Sequence, residues 1–252
     1  MQEFAYLSPA LPRIFAHRGF AKNNAENTLE AFKSALFAGA THIESDLQAT
    51  RDGVAVLFHD DDLLRVAGLP LKISQLTSSQ LQDLVLIDGG FIPTLEQALT
   101  AFPGARFNLD FKVWGVVEPA TEVINRLRAN NRVLVASFSE RRRAAALKQL
   151  EGKVASSAGS ARVLGLYIAY LLGFKALIKR LARPVQLLQL PVKAGVMRFD
   201  NPRFIAAMAK AGLEVHFWTI NEPAEMTRLI GLGAHGIVTD RADLAVNTLR
   251  MQ

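Results

Sequence analysis

The chain is 252 residues long, half of them apolar and 21% charged, with no cysteine and a net charge of +6. That profile fits one large domain with a sizeable core and excludes a disordered chain. The missing cysteines exclude disulfide scaffolds, zinc–thiolate sites, iron–sulfur clusters and thiol nucleophiles. No apolar run reaches the roughly eighteen residues of a membrane span. The opening stretch shows no basic segment followed by an apolar one, so no secretory signal is visible and a cytoplasmic location is expected. The charge is unevenly spread: −6 over residues 1–125, +12 over 126–252, and +11 within 126–183 alone. Such a basic sector points to an anionic surface as partner or to a solvated helical face.

In chain order, short β-rich runs alternate with helical patterns. The strands expected are Arg13–His17, His42–Leu47, Val54–His59, Phe107–Phe111, Val133–Ser137, Leu187–Leu190, Val215–Thr219 and Gly236–Val238, with a further one within Lys153–Ser157. The helices expected are Thr28–Ala38, Ser78–Leu84, Leu95–Ala101, Pro119–Ala129, Glu140–Leu150, Pro202–Ala211 and Pro223–Leu232. Asn27, Thr94 and Asn221 stand where helices should start, and Gly39, Gly212 and Gly233 where they should stop. Strand–helix units of roughly thirty residues predict a single-domain (β/α)8 barrel, with a doubly wound open sheet as the alternative. Thr50-Arg51-Asp52-Gly53 breaks the repeat by joining two early strands directly, as a hairpin.

Polar residues at strand ends carry the chemistry. Glu44 and Asp46 lie two apart on one strand face, as do Asn108, Asp110 and Lys112 on another. His17 ends the first strand, with Arg18 just beyond it, and His59 ends the third. Barrel strands end at the face that holds the site. Three carboxylates converging there would repel one another without a cation. Glu44, Asp46 and Asp110 therefore suit one hard divalent cation, Mg²⁺ or Ca²⁺, to which His17 or His59 could add a nitrogen. Two histidines suit acid–base work near neutral pH. Arg18 and Lys112 suit a substrate whose negative charge grows during reaction. Phosphodiester hydrolysis fits this set.

These residues resemble the glycerophosphodiester phosphodiesterase family. The resemblance rests on Ala16-His17-Arg18-Gly19, Glu26-Asn27-Thr28, Ile43-Glu44-Ser45-Asp46, Thr50-Arg51-Asp52-Gly53, Phe58-His59-Asp60, Ile92-Pro93-Thr94-Leu95-Glu96, Asn108-Leu109-Asp110-Phe111-Lys112, Trp218-Thr219-Ile220-Asn221 and Gly236-Ile237-Val238-Thr239-Asp240. It implies a distorted (β/α)8 (TIM) barrel and metal-dependent hydrolysis of glycerophosphodiesters to an alcohol and glycerol 3-phosphate. It further implies that His17 and His59 are the acid–base pair, that Glu44, Asp46 and Asp110 bind the cation, that Arg18 and Lys112 hold the phosphate, and that Trp218 lines the substrate side. The family usually carries Glu in the position of Asp110; the shorter Asp draws the ion closer to that strand or bridges to it through water. Alternatives on the same barrel are a lysophospholipase D or sphingomyelinase D-like activity on lipids, and a phosphoester-binding barrel without turnover.

Three further segments complete the reading. Glu26-Asn27-Thr28 reads mainly as structural, with Asn27 capping a helix, and a direct catalytic role for Glu26 at the barrel mouth is the alternative. Gly231-Leu232-Gly233-Ala234-His235-Gly236 matches a dinucleotide fingerprint but follows a helix and precedes a strand, the reverse of what that fingerprint needs, so it reads as helix termination. Val163–Phe174 carries no charge and is followed by Lys175, Lys179, Arg180 and Arg183. It reads as a helix packed on the barrel or, with the basic residues, as a peripheral membrane contact through 163–183. Nucleic acid is not an expected partner, since no aromatic–basic platform accompanies the charge.

Overall fold

The structure is a computed structural model, and it describes residues 4–22 and 24–250. Its strands are β1 (Arg13–His17), β2 (His42–Ala49), β3 (Ala55–Leu57), β4 (Phe107–Phe111), β5 (Val133–Ala136), β6 (Ala155–Ser156), β7 (Leu187–Leu190), β8 (Lys193–Ala194), β9 (Met197–Arg198), β10 (Glu214–Phe217) and β11 (Gly236–Thr239). The helices are α1 (Leu29–Phe37), α2 (Leu64–Ala67), α3 (Ser78–Gln82), α4 (Leu95–Ala101), α5 (Val117–Arg126), α6 (Glu140–Gln149), α7 (Ser160–Leu171), α8 (Lys175–Ala182), α9 (Pro202–Lys210), α10 (Pro223–Gly231) and α11 (Ala242–Arg250).

Eight strands form a parallel ring in the order β1, β2, β4, β5, β6, β7, β10, β11, and β11 pairs back onto β1. The ring is thinnest between β6 and β7, where a single bridge joins Ser157 to Leu187. This is the expected (β/α)8 barrel; the open-sheet alternative fails because the edges meet. The expected hairpin is also present. β3 runs antiparallel to β2, pairing Leu47 with Leu57 and Ala49 with Ala55, and stays outside the ring.

Local sequence explains the helix starts. Thr28 and Thr94 accept the backbone N–H three residues on, and Asn201 caps α9 ahead of Pro202. Asn27 departs from its expected capping role. It sits buried with a left-handed backbone (φ 56°), and its Oδ1 accepts the Ser45 hydroxyl at 2.6 Å, while Thr28 takes the cap. The Gly231–Gly236 stretch ends α10 and opens β11, as expected.

On the outward faces of β2 and β4, Leu47, Leu109 and Phe111 pack with Leu95, Leu99, Val117 and Ile124 of the covering helices. The inward faces near the strand starts are filled by Phe15, Tyr6, Leu134, Leu187 and Val238. Phe15 also stacks on His42 at 4.4 Å and meets His216 at 4.8 Å. Packing thus closes the barrel at the strand starts and leaves it open where the strands end. No helix among the described residues is long and apolar enough to cross a membrane.

Candidate active site

Strand register assembles the site. His17 on β1 lies level with Glu44 on β2, Glu44 with Asn108 on β4, and Asp46 with Asp110. Side chains two apart share a face, so Glu44, Asp46, Asn108 and Asp110 project into the barrel, where all four are buried. The β2–β3 hairpin brings the fifth group: the Phe58 N–H donates to the Asp46 carbonyl at 2.9 Å and sets His59 beside the end of β2. The turn after β1 is left-handed at Arg18 (φ 55°) and Gly19 (φ 83°), and a Cβ on Gly19 would lie 2.8 Å from the Ala31 Cβ. That turn aims the Arg18 N–H at Glu44 Oε2 (3.1 Å) and places Arg18 Nε 3.6 Å from Asp46 Oδ2.

All eight residues expected from the sequence, namely His17, Arg18, Glu44, Asp46, His59, Asp110, Lys112 and Trp218, line one cavity of about 450 Å³ at the strand ends. Its far side is apolar and includes Phe138, Val163, Leu164, Leu190, Pro191, Met197 and Phe199. Trp218 meets Phe138 edge to face at 6.3 Å.

Each histidine is held by a carboxylate. His17 Nδ1 lies 2.6 Å from Asp240 Oδ1, and Asn221 Nδ2 donates to Asp240 Oδ2 at 2.8 Å. His59 Nδ1 lies 2.6 Å from Asp60 Oδ1, and Arg65 Nε donates to Asp60 Oδ2 at 2.7 Å. Arg65 continues to Glu26 Oε1, which also accepts from Arg18 Nη1 at 2.9 Å. Burial works against the charge on Asp60 and Asp240. The hydrogen bonds from Arg65 and His59, and from His17 and Asn221, outweigh it and hold both below the usual carboxylate range. An ionised carboxylate only accepts, so each Nδ1 carries the proton and each Nε2 is the ring nitrogen not engaged by that carboxylate. Burial also opposes charge on His17, but the Asp240 hydrogen bond and the Glu44 charge raise its pKa above the ordinary value.

Sequence reading missed Asp240 and Asp60 as partners and Arg65 altogether. Asp240 directly follows β11, so the strand-end rule applied to the other strands would have found it. Glu26, read mainly as structural, ties the Arg18 turn to the excursion that carries Arg65.

A divalent cation fits the acidic end of the cup. Asp46 Oδ2, Asp110 Oδ1 and Asn108 Oδ1 are buried with no hydrogen-bond partner. Orphaned hard oxygens on cavity-lining residues are the donor set for Mg²⁺ or Ca²⁺. Burial, then the Asp46 charge, pushes Glu44 up to about 7, and burial raises Asp110. As placed, no three His, Asp or Glu side chains among the described residues stand together so as to hold a metal ion. Instead the Lys112 ammonium bridges two of the carboxylates, 3.0 Å from Asp46 Oδ1 and 3.3 Å from Asp110 Oδ2.

Comparison with known proteins places the chain in a family and shows the same fold in solved structures. The model of the glycerophosphoryl diester phosphodiesterase family matches residues 17–244. A protein of Mycobacterium tuberculosis named as a probable glycerophosphodiester phosphodiesterase is 42% identical over 93% of this chain and 89% of its own. A lysophospholipase D of Homo sapiens is 26% identical over 91% of this chain and 83% of its own. Among solved structures, a glycerophosphodiester phosphodiesterase from Agrobacterium tumefaciens superposes with a TM-score of 0.77 at 22% identity, covering 96% of this chain and all (100%) of that one. An Oleispira antarctica phosphodiesterase in complex with the product sn-glycerol-3-phosphate superposes at 0.74 with 21% identity, covering 94% and 96%. The chain belongs to the glycerophosphoryl diester phosphodiesterase family.

Proposed function

We propose that the protein hydrolyses glycerophosphodiesters to an alcohol and sn-glycerol 3-phosphate, with His17 and His59 exchanging the protons and one divalent cation at Glu44, Asp46 and Asp110. The observation that carries this reading is the pair of imidazoles, each fixed through Nδ1 by an aspartate, lining the same cavity as three acidic residues and two cations.

One imidazole Nε2 takes a proton from the attacking water as its oxygen bonds to phosphorus. The other gives its proton to the alcohol oxygen as the ester P–O bond breaks. Asp240 and Asp60 hold the rings in place and stabilise the imidazolium while it exists, without taking the proton. Arg18 and Lys112 bind the phosphoryl oxygens. Mg²⁺ or Ca²⁺ held by Glu44, Asp46 and Asp110, with Asn108 at hand, would supply Lewis-acid polarisation of the phosphoryl group. Trp218, with Phe138 edge to face against it, lines the substrate side.

The test is a coupled assay for released glycerol 3-phosphate across several headgroups, with and without chelator. Release that stops on chelation and returns with Mg²⁺ or Ca²⁺ supports the proposal. Absence of release, or release indifferent to the chelator, contradicts it.

A second reading, action on single-chain lysophospholipids, is favoured by the apolar side of the cavity: Val163, Leu164, Leu190, Met197 and Phe199 offer an acyl chain a surface that glycerol phosphate does not need. Headgroup release from lysophosphatidylcholine, compared with glycerophosphocholine, separates the two.

A further inference from the structure

We propose that the α7–α8 hairpin and the β8–β9 turn form a docking surface for an anionic lipid bilayer beside the mouth of the cavity. The inference rests on the proposed hydrolysis only for its purpose; the binding itself stands on other observations.

The first observation is compositional. Residues 152–199 contain eight Lys or Arg and not one Asp or Glu. The acids that meet this segment are already paired, Glu140 with Arg143 and Arg162, and Asp200 with Arg198 and Arg228. Lys175, Lys179, Arg180 and Arg183 are exposed, and none of them is ion-paired among the described residues.

The second is an apolar stripe with nothing over it. Leu164, Ile168, Leu171 and Leu172 follow helical spacing along one face of α7, while Leu166 and Ala169 on the other face are buried against the barrel. Leu171 is 63% exposed and Leu172 59%. The stripe continues into Phe174 at the α7–α8 turn, 55% exposed, and Val196 stands 97% exposed at the tip of the β8–β9 turn.

The third is continuity with the site. Val163 and Leu164 of α7, with Ala194 and Met197 of the β8–β9 hairpin, line the cavity. The elements that present the apolar stripe therefore also form the cavity wall.

Apolar side chains flanked by lysines and arginines suit the boundary of a bilayer, where acyl chains take the former and lipid phosphates the latter. Charge argues against a second copy of this chain as occupant. A two-fold interface would set this acid-free surface against itself, with like charges facing.

The test is co-sedimentation of the full chain with phosphatidylcholine vesicles, with and without phosphatidylglycerol, at low salt. Binding is expected only where phosphatidylglycerol is present. Each basic residue near the surface contributes roughly fivefold to partitioning, so Lys175→Glu with Lys179→Glu should weaken binding at least about twentyfold. Leu171→Asp with Leu172→Asp should abolish it, and both doubles should keep hydrolysis of a water-soluble glycerophosphodiester. A wild-type chain that ignores phosphatidylglycerol vesicles overturns the proposal, as does either double variant binding like wild type. So does a wild-type dimer that the leucine variant dissolves without any vesicle binding. Vesicle binding by a chain that releases no glycerol 3-phosphate would refute the proposed hydrolysis and leave the docking surface standing.

Discussion

His17 and His59 are alike in chemistry and unlike in support. His17 is oriented by Asp240, 223 positions away in sequence, and His59 by its own neighbour Asp60. On the proposed mechanism, replacing either histidine with Ala removes a proton carrier. The expected outcome is a fall in kcat of about 10²–10⁴-fold with an unchanged thermal midpoint; turnover retained in either variant counts against the proton roles. Asp240→Asn and Asp60→Asn keep the shape but lose the obligate acceptor for the imidazole N–H. Each should lower kcat about tenfold or more while KM stays near wild type, measured by steady-state kinetics. The histidines and acidic residues of the cavity were legible because ionisable residues at the ends of apolar strands stand out from the strand pattern. Their partners were less so. Asp240 also stands at a strand end, but that its strand lies beside β1 follows from closure of the barrel and not from the residues around it.

Among the elements, the β1–α1 turn is the most constrained. Gly19 holds φ 83° with Ala31 where a side chain would go. Gly19→Ala adds strain and a clash, so a loss of about 1–3 kcal/mol is expected, read by urea unfolding. It also displaces Arg18, so activity should fall further than stability alone explains. Thr28 at the start of α1 is fully buried, donates to the Ala25 carbonyl and accepts from Ala31. Thr28→Ala should cost about 1 kcal/mol. Helices with a strong cap and a barrel-facing stripe were legible from the sequence; others were not. The uncharged run at Val163–Phe174, read as a helix packed on the barrel, covers most of α7, whereas α8, set off by the turn at Gly173, passed unread. α11 passed unread, and so did the β8–β9 hairpin, whose arms of two residues are too short to show alternation. Asn27 had the right residue type for a cap, but tertiary contact with Ser45 outweighed that preference.

At the scale of the whole molecule, the barrel separates its polar groups into two ends. The strand ends hold the site, and the closed end holds His42, His216, Glu214 and Arg13. Burial depresses His42 to about 3 and also lowers His216. Burial opposes charge on Glu214, yet the hydrogen bonds from Arg13 and His216 bring it down to about 2. The unfolded chain takes up protons on the two histidines below their ordinary pKa while the folded chain does not, so stability is full above pH of about 6.5 and declines toward 3. Glu214 adds its own loss as pH falls from about 4.5 toward 2. Glu44, raised to about 7, acts in the opposite sense between about pH 7 and 4.5 and offsets one such group, so the histidines are read in a Glu44→Gln chain, whose unfolding free energy from urea titrations should fall from about pH 7 to pH 4 by up to about 1.4 kcal/mol per pH unit for each depressed histidine. A flat profile across that range would contradict the neutral, buried imidazoles.

The central claim is that β2 and β4 present a cation site between the two histidines. A crystal grown with Mg²⁺ or Ca²⁺ and sn-glycerol 3-phosphate tests it most directly. The cation should lie among Glu44, Asp46 and Asp110, with Lys112 Nζ drawn off Asp46 toward the phosphate and both histidine Nε2 atoms facing the ligand. A cation bound elsewhere, or a phosphate seated with Lys112 still bridging Asp46 and Asp110, would contradict it.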